Sequence, residues 1–537
     1  YRTPGFTGQK TTSDAYITVS NGNYNNGSSW ELGSVPPLGS KVEIQNNVTL
    51  NQNAEVSDIT ISSGNTLTSE NSQGRTLTIQ DGGTFTNNGT FTANDGSVSF
   101  PGAGTIAGTT TFNDVDIAGG VDFGSNSTIN GTLTVNAGGF ANTAPTYGAS
   151  STLNFSTGGA YGIDGTTTLW TTGSSLGQGV PNNVQVTTTD PLNIFGARDV
   201  TGNLTIDSGA SVVQGNNDFI IQGDFDNSGD YSFVSDGANP LTVQGNFNNQ
   251  SGASFSLSPA FALGGDLILQ GNFTDNGTFT ANGRAVFFTG SSLQTINAGN
   301  PLTIDFIVID TSGSNVQMNQ DLNLPNNLEL TTGNLDLNGN TLTISGDIRP
   351  NGGSGKIEGS AANSTLIFDD SSTPRTLEDG DLQNNEIANL TINETAGVSM
   401  NTDLTVTGTL NINAGENLMQ AGKTLKVDGN ITNDGNITFK SELDNSVSPA
   451  RSSTAQLDEF SGSISGTGDV TVERFIPVQT NDSRAFRFLT STVDSTDPIF
   501  DNWQEGGTSP AGLGTHITGD DSGAVGNFNT TTGIDYT

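Results

Sequence analysis

The chain has 537 residues, with 71 glycines, no cysteine, one histidine, and 54 acidic against 16 basic side chains, for a net charge of −38. The missing cysteine excludes disulfides and thiolate metal sites, and so strong a polyanion is repelled by nucleic acid and by anionic membrane surfaces. Sparse Ala, Leu, Glu, Lys and Arg argue against a helical protein, and apolar residues recurring at short intervals argue against disorder.

Residues 1–55 form the first segment. They carry Trp30 and the pair Pro36–Pro37 in a denser mixture than the rest, and read as an N-terminal cap with the first coils. No charged-then-apolar leader opens the chain, so a signal peptide is expected to have been removed or omitted. No apolar run approaches the length of a membrane-spanning helix, and no membrane insertion is expected of this segment.

From 56 to 469 the chain repeats two short words. One is a strand core, LTI at 77–79 and 204–206, LTV at 133–135, 241–243 and 404–406, and LTI again at 342–344 and 390–392. The other is Gly-x-Phe-x-Asn/Asp followed by Gly: GTFTNNG from Gly83, GDFDNSG from Gly223, GNFNNQSG from Gly245 and GNFTDNG from Gly271, with GNITNDG from Gly429 as a variant. Both alternate apolar and polar residues, the two-residue period of a half-buried strand, and both end in residues that tolerate tight turns. The stretches GTFTNNGTFTANDGSVSF (83–100) and GNFTDNGTFTANGRAVFF (271–288) are nearly one sentence written twice, and read as equivalent coils.

Short strands repeating for hundreds of residues predict an all-β fold, a right-handed parallel β-helix (β-solenoid). Coils of roughly 20 residues give about 20 coils between residues 40 and 445. At ~4.8 Å per coil they would stack into a rod on the order of 100 Å long. A string of β-sandwiches is the competing fold, and the presence of only three tryptophans and the lack of a Pro-rich linker speak against it. Residues 470–537 change character, gathering Arg474, Arg484 and Arg487 with Phe475, Phe486 and Phe488, and read as the start of a small C-terminal β domain, truncated at Thr537.

Two segments resemble modules of secreted proteins of the Bacteroidota. Gly22, Tyr24, Trp30, Gly33, Pro36, Gly39, Val42 and Ile44 match a pattern that opens a parallel β-helix there, and VERFIP…RAFRFLTSTV…IFDNWQEGG…PAGLGTHITG resembles a module of large surface proteins exported by the type IX secretion system. The resemblance implies an extracellular, cell-surface location and a role as an adhesin or as a surface-layer or filament component. It implies no enzymatic activity. Asp494-Ser495-Thr496 resembles an O-glycosylation tripeptide of the same organisms.

Chemistry-bearing constellations are few. Polygalacturonase-like sites need clustered aspartates beside a histidine, and His516 lies outside the repeats, near Asp520 and Asp521. A lyase-like set could use Asp369, Asp370 and Arg375 in LIFDDSSTPRTL, but adjacent carboxylates on a strand point to opposite faces, and a solvated turn explains them better. Ca2+ is the one cofactor the composition suggests, through DFDNSGD (224–230) and GDDSG (519–523), and Asx-turns account for the same residues without metal. NGGSGK (351–356) lacks the hydroxyl residue a phosphate loop needs after Lys356, and GAGTIAG (102–108) lacks the helix a dinucleotide site needs. Phe85, Phe91, Phe225, Phe273 and Phe279 recur at coil spacing and are expected to stack inside the solenoid. Trp170 fits neither word and is expected on an exposed insertion. No catalytic or cofactor-binding residue is therefore assigned, and no metal ligand is identified. The reading is a non-catalytic exported structural rod, a stalk, adhesin or filament subunit, with copies of itself head-to-tail, other surface proteins or glycans as partners and no nucleic acid. The alternative is a polysaccharide-binding or polysaccharide-degrading β-helix protein.

Overall fold

The computed structural model describes residues 14–234, 239–259, 266–299, 301–369, 373–446, 451–459 and 461–475. By its internal contacts the chain divides into a large unit, 1–442 with 453–473, and a smaller one, 443–452 with 474–537, which lies mostly outside the described residues.

The large unit is a parallel β-solenoid of roughly 18 turns. Each full coil lays three short strands on three faces. One ladder on the first face runs without interruption from Ala54 through Leu77, Val98, Val115, Leu133, Leu153, Val184, Leu204, Phe225 and Phe247 to Phe273, and continues to Leu425 and Leu457. Coil length varies along it: Val98 pairs with Val115, but Leu153 pairs with Val184 because residues 164–180 are inserted between. The expected cap already belongs to the stack, since Tyr16–Ile17 pairs in parallel with Val42–Glu43. At the other end Val470–Val472 still pairs with Ile437–Phe439.

The Gly-x-Phe-x-Asn-x-Gly word can be read position by position. A Cβ on Gly245 would sit 2.4 Å from the Gly223 carbonyl oxygen, and one on Gly271 would sit 2.2 Å from that of Gly245, so the corner admits only glycine. The next residue is a corner cap. Asn203 Oδ1 accepts the Asp224 N–H (2.9 Å), Asp224 Oδ1 that of Asn246 (2.7 Å), and Asn246 Oδ1 that of Asn272 (3.0 Å). These caps satisfy backbone donors that the turn would otherwise leave unpaired. Phe225, Phe247 and Phe273 then stack as a column, with ring centroids 5.2 and 5.0 Å apart and planes within about 10°. Tyr231, Phe255 and Phe279 form a second column at 5.0 and 5.6 Å, meeting the first edge-to-face. The expected interior phenylalanines are thus buried, with Phe279 only half-buried.

The two near-identical stretches build the same three strands: Gly83–Asn87, Thr90–Thr92 and Ser97–Phe100 in one, Phe273–Asp275, Thr278–Thr280 and Ala285–Phe288 in the other. They are not in phase. The first-face ladder that contains Phe273 descends to Val98, the third strand of the earlier stretch, whereas Phe85 pairs with Ile59 and Ile106 on the neighbouring face. The expectation of equivalent coils holds for local structure and fails for position around the axis. A strand with one inward side and a glycine at each end meets the same demands on either face.

Trp170 is also corrected. It is fully buried, its ring edge-on to Phe219 at 5.6 Å, and its Nε1–H donates to the Asp199 carbonyl at 2.8 Å. Residues 164–180 fold back over the third face between Tyr147, whose hydroxyl donates to the Leu169 carbonyl, and Arg198–Val200, so the insertion replaces a missing strand and its indole fills the core.

Candidate functional site

Behind the aromatic columns runs a file of amides. Asn227 Nδ2 donates to Asn249 Oδ1 (2.8 Å), and Asn249 Nδ2 donates to Asp275 Oδ1 (2.7 Å) and to the Thr278 carbonyl (3.2 Å). All three side chains are buried, and each caps the N–H two residues on or the coil above. Asp275 terminates this file. Burial pushes its carboxyl above the ordinary aspartate value, and the hydrogen bonds from Asn249 and Gly277 offset part of that shift.

At Asp275 the second face is interrupted. Thr278–Thr280 pairs with Ser254–Ser256 below, Leu302–Thr303 with Leu322–Asn323 above, and the two do not pair with each other. A cavity of about 250 Å3 opens in the gap, lined by Asp275, Thr278, Phe279, Leu302 and Thr303. It offers one carboxylate, two hydroxyls and half an aromatic face. That set can accept and donate hydrogen bonds to a hydroxylated ligand. It supplies one carboxylate where general acid–base cleavage of a glycosidic bond uses two.

Arg375 is buried, not displayed on a face. Its guanidinium pairs with Glu394 (2.9 Å, side chains 4 and 0% exposed) and bonds the Ser345 and Gly346 carbonyls. Asp369 stays at a half-exposed corner, as a solvated turn would have it, whereas Arg375 does not belong to that turn's solvated surface. Both partners of the real pair occupy inward positions of the alternation, Arg375 two residues before Leu377 and Glu394 two after Ile392, and that misplaced polarity was the signal available in the sequence. In DFDNSGD, Asp224 caps Asn246, Asp226 accepts from Asn248 Nδ2 (2.8 Å) and Asp230 from Ser254 Oγ, so the three carboxylates separate onto different parts of the coil and serve the next one. Among the described residues no group of three or more His, Cys, Asp or Glu side chains is placed to hold a metal ion. Trp30 is buried in the cap, its Nε1–H donating to the Tyr24 carbonyl at 2.9 Å. Asp370, Arg484, Arg487, Phe486, Phe488, Trp503, His516, Asp520, Asp521 and the 494–496 tripeptide lie outside the described residues.

No protein family matches the chain, and neither a curated protein nor a solved structure is found to be similar to it.

Proposed function

We propose that this chain is the rod of an exported cell-surface protein, non-catalytic, acting as a stalk, adhesin or filament subunit. The observation that carries the reading is the continuous first-face ladder, reinforced at corners such as those of Asn203 and Asp224 by side-chain caps and by glycines that let coils approach closely. Asp81, Asp114, Asp321 and Asp403 each accept a backbone N–H of the next coil, a use of acidic groups that supports a mechanical role over a reactive one. The likeness of its end segments to type IX-exported modules of the Bacteroidota supports export to the outer surface. Immunogold electron microscopy of native cells tests this. Label on surface rods or filaments is expected, and label confined to the cell interior would overturn it. A second reading, a polysaccharide-binding protein, is favoured by the cavity at Asp275 and Phe279.

A further inference from the structure

From Thr343 onward the second face differs from the first in the charge of its outward residues. Its outward residues from one coil to the next are Thr343, Ile367, Thr391, Asn411, Thr432 and Ser465, held in register by unbroken parallel pairing. A second outward file, two residues earlier in each strand, reads Thr, Thr, Asn, Thr, Asn, Ser. No charge occurs in either file, on a chain of net charge −38. The first face of the same coils turns Asp336, Glu358, Glu386 and Lys426 outward. Carboxylates border the strip, Asp321 at its start below Thr341 and Asp369 and Asp434 along its side.

The two files differ in how they are used. In the earlier file Asn389 Oδ1 accepts both the N–H and the hydroxyl of Thr409 (3.0 and 3.1 Å), and Asn430 does the same for Ser463. That file is braced. In the other, the side chains of Thr343, Thr391, Asn411 and Thr432 have no hydrogen-bond partner within the described residues. The donors and acceptors of Thr391, Asn411 and Thr432 stand on successive coils ~4.8 Å apart, and Thr343 lies two coils before Thr391 with Ile367 between them.

We propose that this strip binds a single extended chain of a neutral polysaccharide laid along the solenoid axis. Hydroxyl and amide groups that both donate and accept match a ligand whose only polar groups are hydroxyls and ether oxygens. The coil spacing is close to the length of one hexose unit in an extended β-linked glycan. Lack of charge removes the desolvation penalty that a neutral ligand could not compensate, and the surrounding carboxylates exclude polyanions. A second copy of the chain is disfavoured by size. Two residues wide and six coils long, the strip measures about 7 by 24 Å, well short of the ~800 Å2 per partner of a standard interface. With no aromatic residue on the strip, each contact is weak and retention depends on many sugars engaging at once. The inference deepens the reading of the rod as an adhesin. Its own failure is distinguishable, because immunogold labelling reports location whether or not glycan binds.

The test is native gel electrophoresis of the full chain through gels containing hydroxyethylcellulose, xyloglucan or mannan, with polygalacturonate as the anionic control. Retardation in at least one neutral gel and none in polygalacturonate is expected. The pair Thr391→Glu and Thr432→Glu should abolish it, Thr391→Ser with Thr432→Ser should keep it, and Thr405→Glu on the first face should leave it unchanged. Wild-type migration unaffected by all three neutral polysaccharides, or retardation that survives the paired glutamates, would overturn the proposal. So would shaping of ice crystals by the wild-type chain without retardation in any gel, which would assign the regular hydroxyl array to ordered water.

Discussion

Asn249→Leu is the substitution that most directly probes why the coils stay stacked. The side chain is fully buried and makes three hydrogen bonds: to Asn227 (2.8 Å), to the Asp275 carboxylate (2.7 Å) and to the Thr278 carbonyl (3.2 Å). Leucine has similar bulk, so packing changes little. The partners remain buried, and each bond removed from a buried partner costs about 1–3 kcal/mol, more where a charge is involved. Asn227 keeps the Ser254 carbonyl and Asp275 keeps the Gly277 N–H, which holds the total to roughly 3–5 kcal/mol. Global unfolding is a poor readout for a repeat array, because opening can begin in any coil. Local opening followed by hydrogen exchange is the right one, and about 4 kcal/mol corresponds to nearly a thousandfold faster exchange across residues 225–280. Asn248→Ala is the control. Its side chain points outward to Asp226, and its removal should change exchange by less than about threefold, the range of surface substitutions. A change below tenfold in Asn249→Leu, or an equal change in Asn248→Ala, would refute the view that the interior amide file holds these coils.

Other predictions follow from the same architecture. Asp275 has a carboxyl raised by burial, so folding favours its protonated form. Its contribution to local stability is complete below the ordinary aspartate range and is lost as pH rises through the raised value, and Asp275→Asn should remove that slope from exchange rates measured between about pH 4 and 7. Arg375→Met alone should destabilise the coils from 344 to 394 by about 3–5 kcal/mol by stranding the buried Glu394 carboxylate. Adding Glu394→Met should recover most of it, read as hydrogen exchange across the same coils. Gly245→Ala, whose Cβ would meet the Gly223 carbonyl at 2.4 Å, should split the corner and open the adjoining coils to proteolysis, whereas an alanine at the outward Thr274 should not.

Much of the fold was readable because the repeated word specifies local structure residue by residue: glycine where carbonyls crowd, Asn or Asp where a backbone donor must be capped, and an apolar residue facing in. Phase around the axis was not readable, since GTFTNNG from Gly83 and GNFTDNG from Gly271 satisfy those conditions equally on different faces. Position depends on the summed lengths of all the intervening coils, and insertions such as 164–180 change that sum. Trp170 escaped for a related reason. Its segment carries no word because it lies across the core without being a strand. The neutral strip went unseen because which threonines share a face is decided only by register. Asp275 falls at the Asn/Asp position of a turn word, and nothing in the word distinguishes its burial beside Asn249 from an exposed corner.

The interchangeability of the word between faces bears on how such a rod can grow. If the smallest module were a complete coil, lengthening by duplication would add whole turns and leave every distal surface where it was. Here the module is one strand with its two corners, so gain or loss of a single copy rotates everything beyond it by one face while the core stays filled. Length and azimuth are then separately adjustable. A binding strip such as that from Thr343 to Ser465 can be turned toward or away from other surface features without altering a residue within it.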